Sequence, residues 1–468
     1  MNPVFSRIPL RLSALLLTLT LAACAGTSPR NEAIYAAPDG KASNTGRAES
    51  PLDIHTAVER AEPGRTILMK GGIYRLDRPV ELKRSGTDSL PIRLWACPGE
   101  RPVFDCLDQP YNTSRDGMIV SGDHWHVLGL EIRNAYHTGF FIGEGSHNLF
   151  ERCTAHHNGG TGFRMGFSHN EPYNEDGEKA AYNTFLNCDA YNNFDWYARR
   201  DGKLTAGTNT DGFACQCNTG KGNRFVGCRA WSNSDDGWDL FECGYGIVLE
   251  NCWVWNTGIL EDHRAMYAEK TGEELTEDKW DGNGNGFKMG GGCGYIGGRE
   301  CTQISRGTHV LRGCIAFRNA SAGFDQNDHV FGSRIEHCIG FDNGINFNYY
   351  KANRDSTSFV FYNNVSWGGS RPDRFDRITY VHAGNSWDLP GPAAGTASQF
   401  VRTDTEAALA PRGRNGSLPD GFCRPKPDSY FTDRGAITGP VRIERDGIEM
   451  DERPFSGHRP DPGVYELK

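Results

Sequence analysis

From about residue 118 the chain alternates short apolar runs with Gly, Asn and Asp, and one phrase keeps returning. Leu149-Phe-Glu-Arg-Cys153-Thr-Ala-His-His-Asn158 is echoed by Phe185-Leu-Asn-Cys188-Asp-Ala-Tyr-Asn-Asn193 and Phe225-Val-Gly-Cys228-Arg-Ala-Trp-Ser-Asn233. It returns as Leu249-Glu-Asn-Cys252-Trp-Val-Trp-Asn256, Leu311-Arg-Gly-Cys314-Ile-Ala-Phe-Arg-Asn319 and Ile335-Glu-His-Cys338-Ile-Gly-Phe-Asp-Asn343. Phe361-Tyr-Asn-Asn-Val365-Ser-Trp is a weaker copy. Cys228 and Cys252 stand 24 residues apart, as do Cys314 and Cys338. The wider gaps, 35 residues from Cys153 to Cys188 and 40 from Cys188 to Cys228, read as one turn plus a loop insertion. A strand of three or four residues cannot bury its inner face alone, but coils stacked about 4.8 Å apart can. The pattern therefore predicts an all-β, single-domain parallel β-solenoid. Its Cys and apolar positions form interior ladders, and the recurrent Asn forms a ladder at a turn. A seven-bladed propeller would need longer and more even repeats.

Ahead of the repeat, residues 51–61 place Leu52, Ile54, Ala57, Val58 and Ala61 at helical spacing, and Pro63-Gly64 ends the run. This predicts a short amphipathic helix that caps the open end of the solenoid. Residues 66–69, 73–74, 91–95 and 102–104 read as short strands separated by turns. Residues 257–282 are charged and interrupt the rhythm, which predicts a long loop with a short helix beside the groove. Residues 290–308 form a second, Gly-rich loop. The repeats are clearest over 118–370, and 371–468 reads as irregular coils and a packed tail.

The N-terminus changes the picture of where the chain works. Arg7 and Arg11 precede an apolar run, Leu12 to Leu21, too short to span a bilayer, and Leu21-Ala-Ala-Cys24 follows. Those four residues resemble a bacterial lipobox, which implies cleavage after residue 23, lipidation of Cys24 and a tether over 24–33. Ala25 resembles an outer-membrane sorting signal. The expected location is the cell envelope, or the medium if Cys24 is incidental to an ordinary signal. The mature domain is 34–468, expected to be a monomer. A net charge of −9 makes nucleic acid an unsuitable partner. Of the 15 Cys, six sit in the repeat, and Cys215-x-Cys217 lacks a second pair for a metal site. Cys97 with Cys106, or Cys293 with Cys301, are candidate loop disulfides.

The candidate chemistry lies in two acidic clusters. Asn209-Thr210-Asp211-Gly212-Phe213 is followed by Ser234-Asp235-Asp236-Gly237-Trp238-Asp239. Asp211 and Asp235 stand 24 residues apart, about one coil, so Asp235 is expected directly above Asp211. Asp211, Asp235, Asp236 and Asp239 at one spot repel each other unless a cation holds them, and hard oxygen donors suit Ca²⁺. Lys288, in Gly286-Phe287-Lys288-Met289, stands 49 residues past Asp239, about two coils. It is either a counterion or a base whose ammonium is disfavoured in a dry groove beside Ca²⁺. Ca²⁺ and a Lys base together suit proton abstraction α to a carboxylate, then β-elimination of a uronate polysaccharide.

The blocks NTDGF, NSDDGWDLF, GNGNGFKMGG and SAGFDQN, with an N-terminal YAAPDGKASNTGRAES and a C-terminal Asp461-Pro-Gly-Val-Tyr, resemble polysaccharide lyase family 9. The resemblance implies a right-handed parallel β-helix and pectate-lyase chemistry on polygalacturonate, or in some members on rhamnogalacturonan. It also implies Ca²⁺ held by Asp211, Asp235, Asp236 and Asp239, with Lys288 as base. A polygalacturonase-type hydrolase shares an Asn-Thr-Asp and a later Asp-Asp, but its Gly-His-Gly and Arg-Ile-Lys are absent from this chain. A non-catalytic glycan-binding β-helix is the third reading. His124, His126, His156 and His157 are read as rung or surface residues, and Trp231, Trp238 and Trp255 as core ladders. Arg224, Arg229 and Arg264 are candidates for substrate carboxylates.

Overall fold

The computed structural model describes residues 33–110, 116–166, 174–216, 219–291, 295–296, 299–300, 306–354, 356–390 and 396–467. The signal segment, Cys24, most of the tether, Cys217, Cys293 and Cys301 lie outside the described residues. Three parallel sheets of 12, 10 and 10 strands run the length of the molecule. The first runs from Ile34–Ala36 to Tyr380–Ala383, the second from Val80–Leu82 to Arg374–Phe375, and the third from Gly72–Arg75 to Val365–Trp367. Each strand pairs with its equivalent one coil on, as Phe185 with Phe225 and Phe225 with Leu249. The result is the expected parallel β-helix.

The interior is made of ladders. Phe140, Phe163, Phe213, Trp238, Phe287, Phe324 and Phe347 stack face to face along the second sheet, with centroids 4.5–5.2 Å apart. Such offset stacks bury large apolar area and repeat at the strand spacing. Cys153, Cys188, Cys228, Cys252, Cys314 and Cys338 are free, buried thiols, each aimed at a carbonyl of the preceding coil. Cys97 and Cys106 are likewise free, so the disulfide considered for them does not form. They follow strands of different sheets, Ile92–Ala96 in the first and Pro102–Asp105 in the third.

The Asn ladder holds, with one correction. Asn158 donates to Asn193, and Asn193 to Asn233. Higher up, Asn319 donates to Asn343. In the intervening copy the rung is Thr257, whose hydroxyl donates to Asn319 Oδ1 at 2.8 Å. Asn256 occupies instead the left-handed position, φ 53°, that precedes the rung.

At the N-terminal end the helix α1 (Ile54–Glu59) begins at Asp53, whose carboxylate accepts the Thr56 N–H, and buries Ile54, Ala57 and Val58. The charged insertion contains helix α2 (Leu260–Thr271). The tail runs over the outside of the third sheet, where Trp255, Phe317, Phe341 and Trp367 stack and Phe400, Phe422 and Phe431 close the cluster. Trp238 and Trp255 are fully buried and Trp231 stacks on Trp255, so all three are ladder residues.

Candidate active site

The acidic cluster grows out of the turn that enters the second sheet. On successive coils one side chain at this turn accepts the backbone N–H of the coil above. Asp211 Oδ1 accepts from Asp236 N, Asp236 Oδ1 from Asn285 N, and Asn285 Oδ1 from Ala322 N. Two neighbouring rungs are thus carboxylates. The strand register sets Phe213 beside Trp238, so Asp236, and not Asp235, stands above Asp211. Asp235 is one residue earlier and accepts from Asn283 N at 2.9 Å. The glycine after each rung is required by close packing. A Cβ on Gly237 would lie 2.1 Å from Val254 Cγ2 and 2.7 Å from the Gly286 carbonyl oxygen.

Oxygens of Asp211, Asp235 and Asp236, all buried, lie within 4.8 Å of one another. Asp239 flanks this trio. Its Oδ2 accepts from Gln216 at 2.6 Å and its Oδ1 lies 3.3 Å from Lys288 Nζ. Lys288 Nζ also stands 2.9 Å from Asp236 Oδ2, which makes no hydrogen bond apart from this ion pair. Lys288 pairs directly with Asp239 in register, one coil away rather than two, because α2 and its flanking loops consume the intervening chain. Burial pushes the carboxyls of Asp211, Asp235 and Asp239 up, and the negative neighbours add to it for Asp211 and Asp235. For Lys288, burial acts downward, but Asp236, Asp239, Asp235 and Asp211 together outweigh it and hold the ammonium well above its ordinary range. With protein groups alone, then, the fall expected from the sequence is reversed, because the carboxylate charge is unopposed.

The cluster opens into a cavity of about 690 Å³ whose lining includes Arg164, Asp195, Tyr197, Arg200, Asp211 and Lys288. The helix α2 packs Tyr267 and His263 against Phe194 and Trp280, which fastens the loop from Phe194 that lines this cavity.

The family description "Pel9A-like, right handed beta helix region" matches residues 34–364. The chain belongs to polysaccharide lyase family 9. It is a polysaccharide lyase with the right-handed parallel β-helix of that family. Pectate lyase L of Dickeya dadantii is 34% identical over 444 residues, covering 92% of this chain and 90% of that protein. The crystal structure of pectate lyase Pel9A superposes with a TM-score of 0.73 at 33% identity, over 93% of this chain and 96% of that one. A rhamnogalacturonan lyase structure gives 0.69 at 25% identity, over 85% and 97%.

Within this lyase none of the three arginines singled out from sequence reaches the cluster. Arg229 is buried against Asp189 and the tail carbonyls of Ala408 and Ala410. Arg264 bonds the Leu275 carbonyl and Glu261. Arg224 lines a different cavity, with Glu250 and Arg312. His126 pairs with Glu151 and His156 with Glu131, so both serve the outer faces of strands.

Residues that sequence reasoning passed over are Arg164, Asp195, Gln216 and Asp325. The signal for Arg164 and Asp325 was the repeated Gly-aromatic-X at Gly162-Phe-Arg164, Gly212-Phe-Ala214, Gly237-Trp-Asp239, Gly286-Phe-Lys288 and Gly323-Phe-Asp325, a column that Asp195 and Gln216 stand outside. The aromatic points inward, and X forms one outward column in register. Asp325, beside Lys288, and Asp195, with Oδ1 unpartnered, are both pushed by burial up to about 7. The native state therefore holds protons that unfolded Asp, near 3.8, releases. Stability should fall as pH rises from about 4 to about 7 and level off above that. Asp195→Asn and Asp325→Asn should each flatten the slope in pH-dependent denaturant unfolding. Unchanged slopes would show that both groups are ionised in the native protein.

Proposed function

We propose that this chain cleaves pectate, a polygalacturonate, by β-elimination, with Lys288 as base and Asp211, Asp235, Asp236 and Asp239 around a Ca²⁺ site. The observation that carries the proposal is one ammonium, Lys288 Nζ, 2.9 Å from a cluster of three buried carboxylates on the wall of an open cavity. The donors fit such an ion. They are hard oxygens with excess negative charge, and Asp236 Oδ2 has no hydrogen bond apart from its ion pair with Lys288. Bound there, Ca²⁺ would offset the carboxylate charge and polarise the sugar carboxylate, making its α-proton more acidic.

The chain's own groups do the rest. Lys288 Nζ, as the free amine, takes the C5 proton of the uronate. The C5–H electron pair becomes the C4–C5 double bond as the C4–O bond breaks. The departing oxygen keeps that bond's pair and is protonated from solvent. Gln216 and Asp239 hold the lysine's flank, and the Phe241 ring lies 5.6 Å from Nζ. The close packing of the acids argues against an inverting hydrolase. An inverting hydrolase needs its two carboxyl groups about 6.5–9.5 Å apart to admit a water, and these lie nearer.

Rhamnogalacturonan is the second substrate reading, favoured by the structural match at 25% identity. The deciding assay follows absorbance near 235 nm, about where unsaturated uronides absorb, on both polymers with Ca²⁺ and with chelator. A Ca²⁺-dependent rise on polygalacturonate is expected. Reducing ends without that absorbance would mean hydrolysis and overturn the proposal.

A further inference from the structure

Arg164 is a cation of the groove that the reaction leaves without work. It stands on the outward column of the second sheet, in register with Ala214, then Asp239, then Lys288. Three coil spacings place it roughly 14 Å from the lysine along the groove. It lines the same cavity as Lys288 and the acidic cluster. Its guanidinium lies 5.9 Å from the centroid of Phe141, the column residue one coil below. Among the described residues it has no ion-pair partner, and its Nε is buried without a hydrogen bond. Arg200, also in the lining, is by contrast paired with Asp281 at 3.5 Å. Between Arg164 and Asp239 the column holds only the methyl group of Ala214, which leaves the floor low. Beyond Lys288 the column runs through Asp325 and Asn348 to Arg374, which is paired with Asp376 at 2.7 Å.

We propose that Arg164 is a second carboxylate subsite, which binds a uronate several sugars away from the one attacked by Lys288. This rests on the uronate reading above. A half-buried arginine whose Nε is shut off from water without a partner is costly to keep unless a ligand anion completes it, and the planar guanidinium matches a carboxylate with two parallel hydrogen bonds. In a protein of net charge −9, local cations decide where a polyanion lies. The column also sets polarity, because the arginine at its other end, Arg374, is already taken by Asp376. Substrate carboxylates extend from Lys288 toward the N-terminal coils, over Arg164, and not toward Asp325. Arg164 is a specificity residue and touches no reacting atom.

The test is steady-state kinetics of the wild type, Arg164→Gln and Arg164→Lys on polygalacturonate and on oligogalacturonides of increasing length. Loss of a charge-assisted hydrogen bond should raise KM on the polymer about tenfold or more with little change in kcat. The KM penalty should grow with substrate length, and lysine should restore part of it. An equal penalty on the shortest cleaved oligomer and on the polymer, or no penalty at all, would overturn the subsite. Retardation of the protein in a polygalacturonate gel, measured with chelator present, separates this from the lyase reading. If the wild type is retarded but forms no unsaturated product, the reaction is wrong. If Arg164→Gln is retarded as strongly as wild type, the subsite is wrong. Thermal unfolding of both variants confirms a common fold, and Arg164→Lys alone decides the matter should glutamine not fold.

Discussion

Lys288→Ala is expected to lower turnover of polygalacturonate by about a hundredfold to ten-thousandfold, the usual contribution of a positioned general base. KM should change far less, because the lysine acts on a proton and not on the resting substrate. The same geometry makes a second, independent demand. Lys288 lies between Asp236 and Asp239, whose charges favour its ammonium. Only the neutral amine accepts a proton, so kcat should climb as pH rises, and it should climb at lower pH when Ca²⁺ offsets the carboxylates. A pH–rate profile with its rising limb unmoved by Ca²⁺ concentration would argue that the lysine is only a counterion. So would Lys288→Ala retaining more than a tenth of wild-type turnover. Lys288→Arg gives a sharper test, since arginine keeps the charge beside Asp236 and Asp239 and does not deprotonate at working pH. It should stay folded and stay inactive.

How much of this was legible beforehand depended on what the repeat carries. The Leu/Phe-x-x-Cys phrase recurs because each coil must fill the same interior slot, so the solenoid, its ladders and its approximate pitch could be read directly from the sequence. Absolute register could not. The acidic pair was placed on a period of 24, but Phe213 aligns with Trp238, a shift of 25, and Asp236 rather than Asp235 takes the rung above Asp211. Lys288 was placed two coils from Asp239 because sequence distance counts α2 as if it were rungs. Both errors disappear once Gly-aromatic-X is taken as the ruler, since the glycine is fixed by packing at the turn and cannot drift. Arg229 misled for a different reason. Its partners Ala408 and Ala410 belong to the tail, some 180 residues away, and no local pattern announces that a tail will cover the third sheet. Tertiary cover of this kind turned a plausible ligand-binding arginine into a structural one.

Asp236→Asn should separate metal binding from catalysis, since Asp236 is the hub of the cluster. Its backbone N–H donates to Asp211, its Oδ1 accepts both the backbone and side-chain N–H of Asn285, and its Oδ2 faces Lys288. Asparagine keeps the size and can still accept from Asn285, so the turn ladder survives. What is lost is one buried negative charge among three. In chelator the variant should melt near wild type, because relief of one buried like charge is opposed by loss of the 2.9 Å partner of Lys288. In Ca²⁺ the variant should fall clearly below wild type. Ligand at a hundred times its dissociation constant stabilises a protein by about 2.7 kcal/mol, and a variant binding a hundredfold more weakly forfeits most of that. The Ca²⁺ concentration for half-maximal activity should rise at least about tenfold in parallel. If Asp236→Asn showed the wild-type Ca²⁺ shift in melting temperature, the ion would not sit at this cluster. The Asp236–Lys288 contact would then have to be reread as an ion pair that holds the second sheet together.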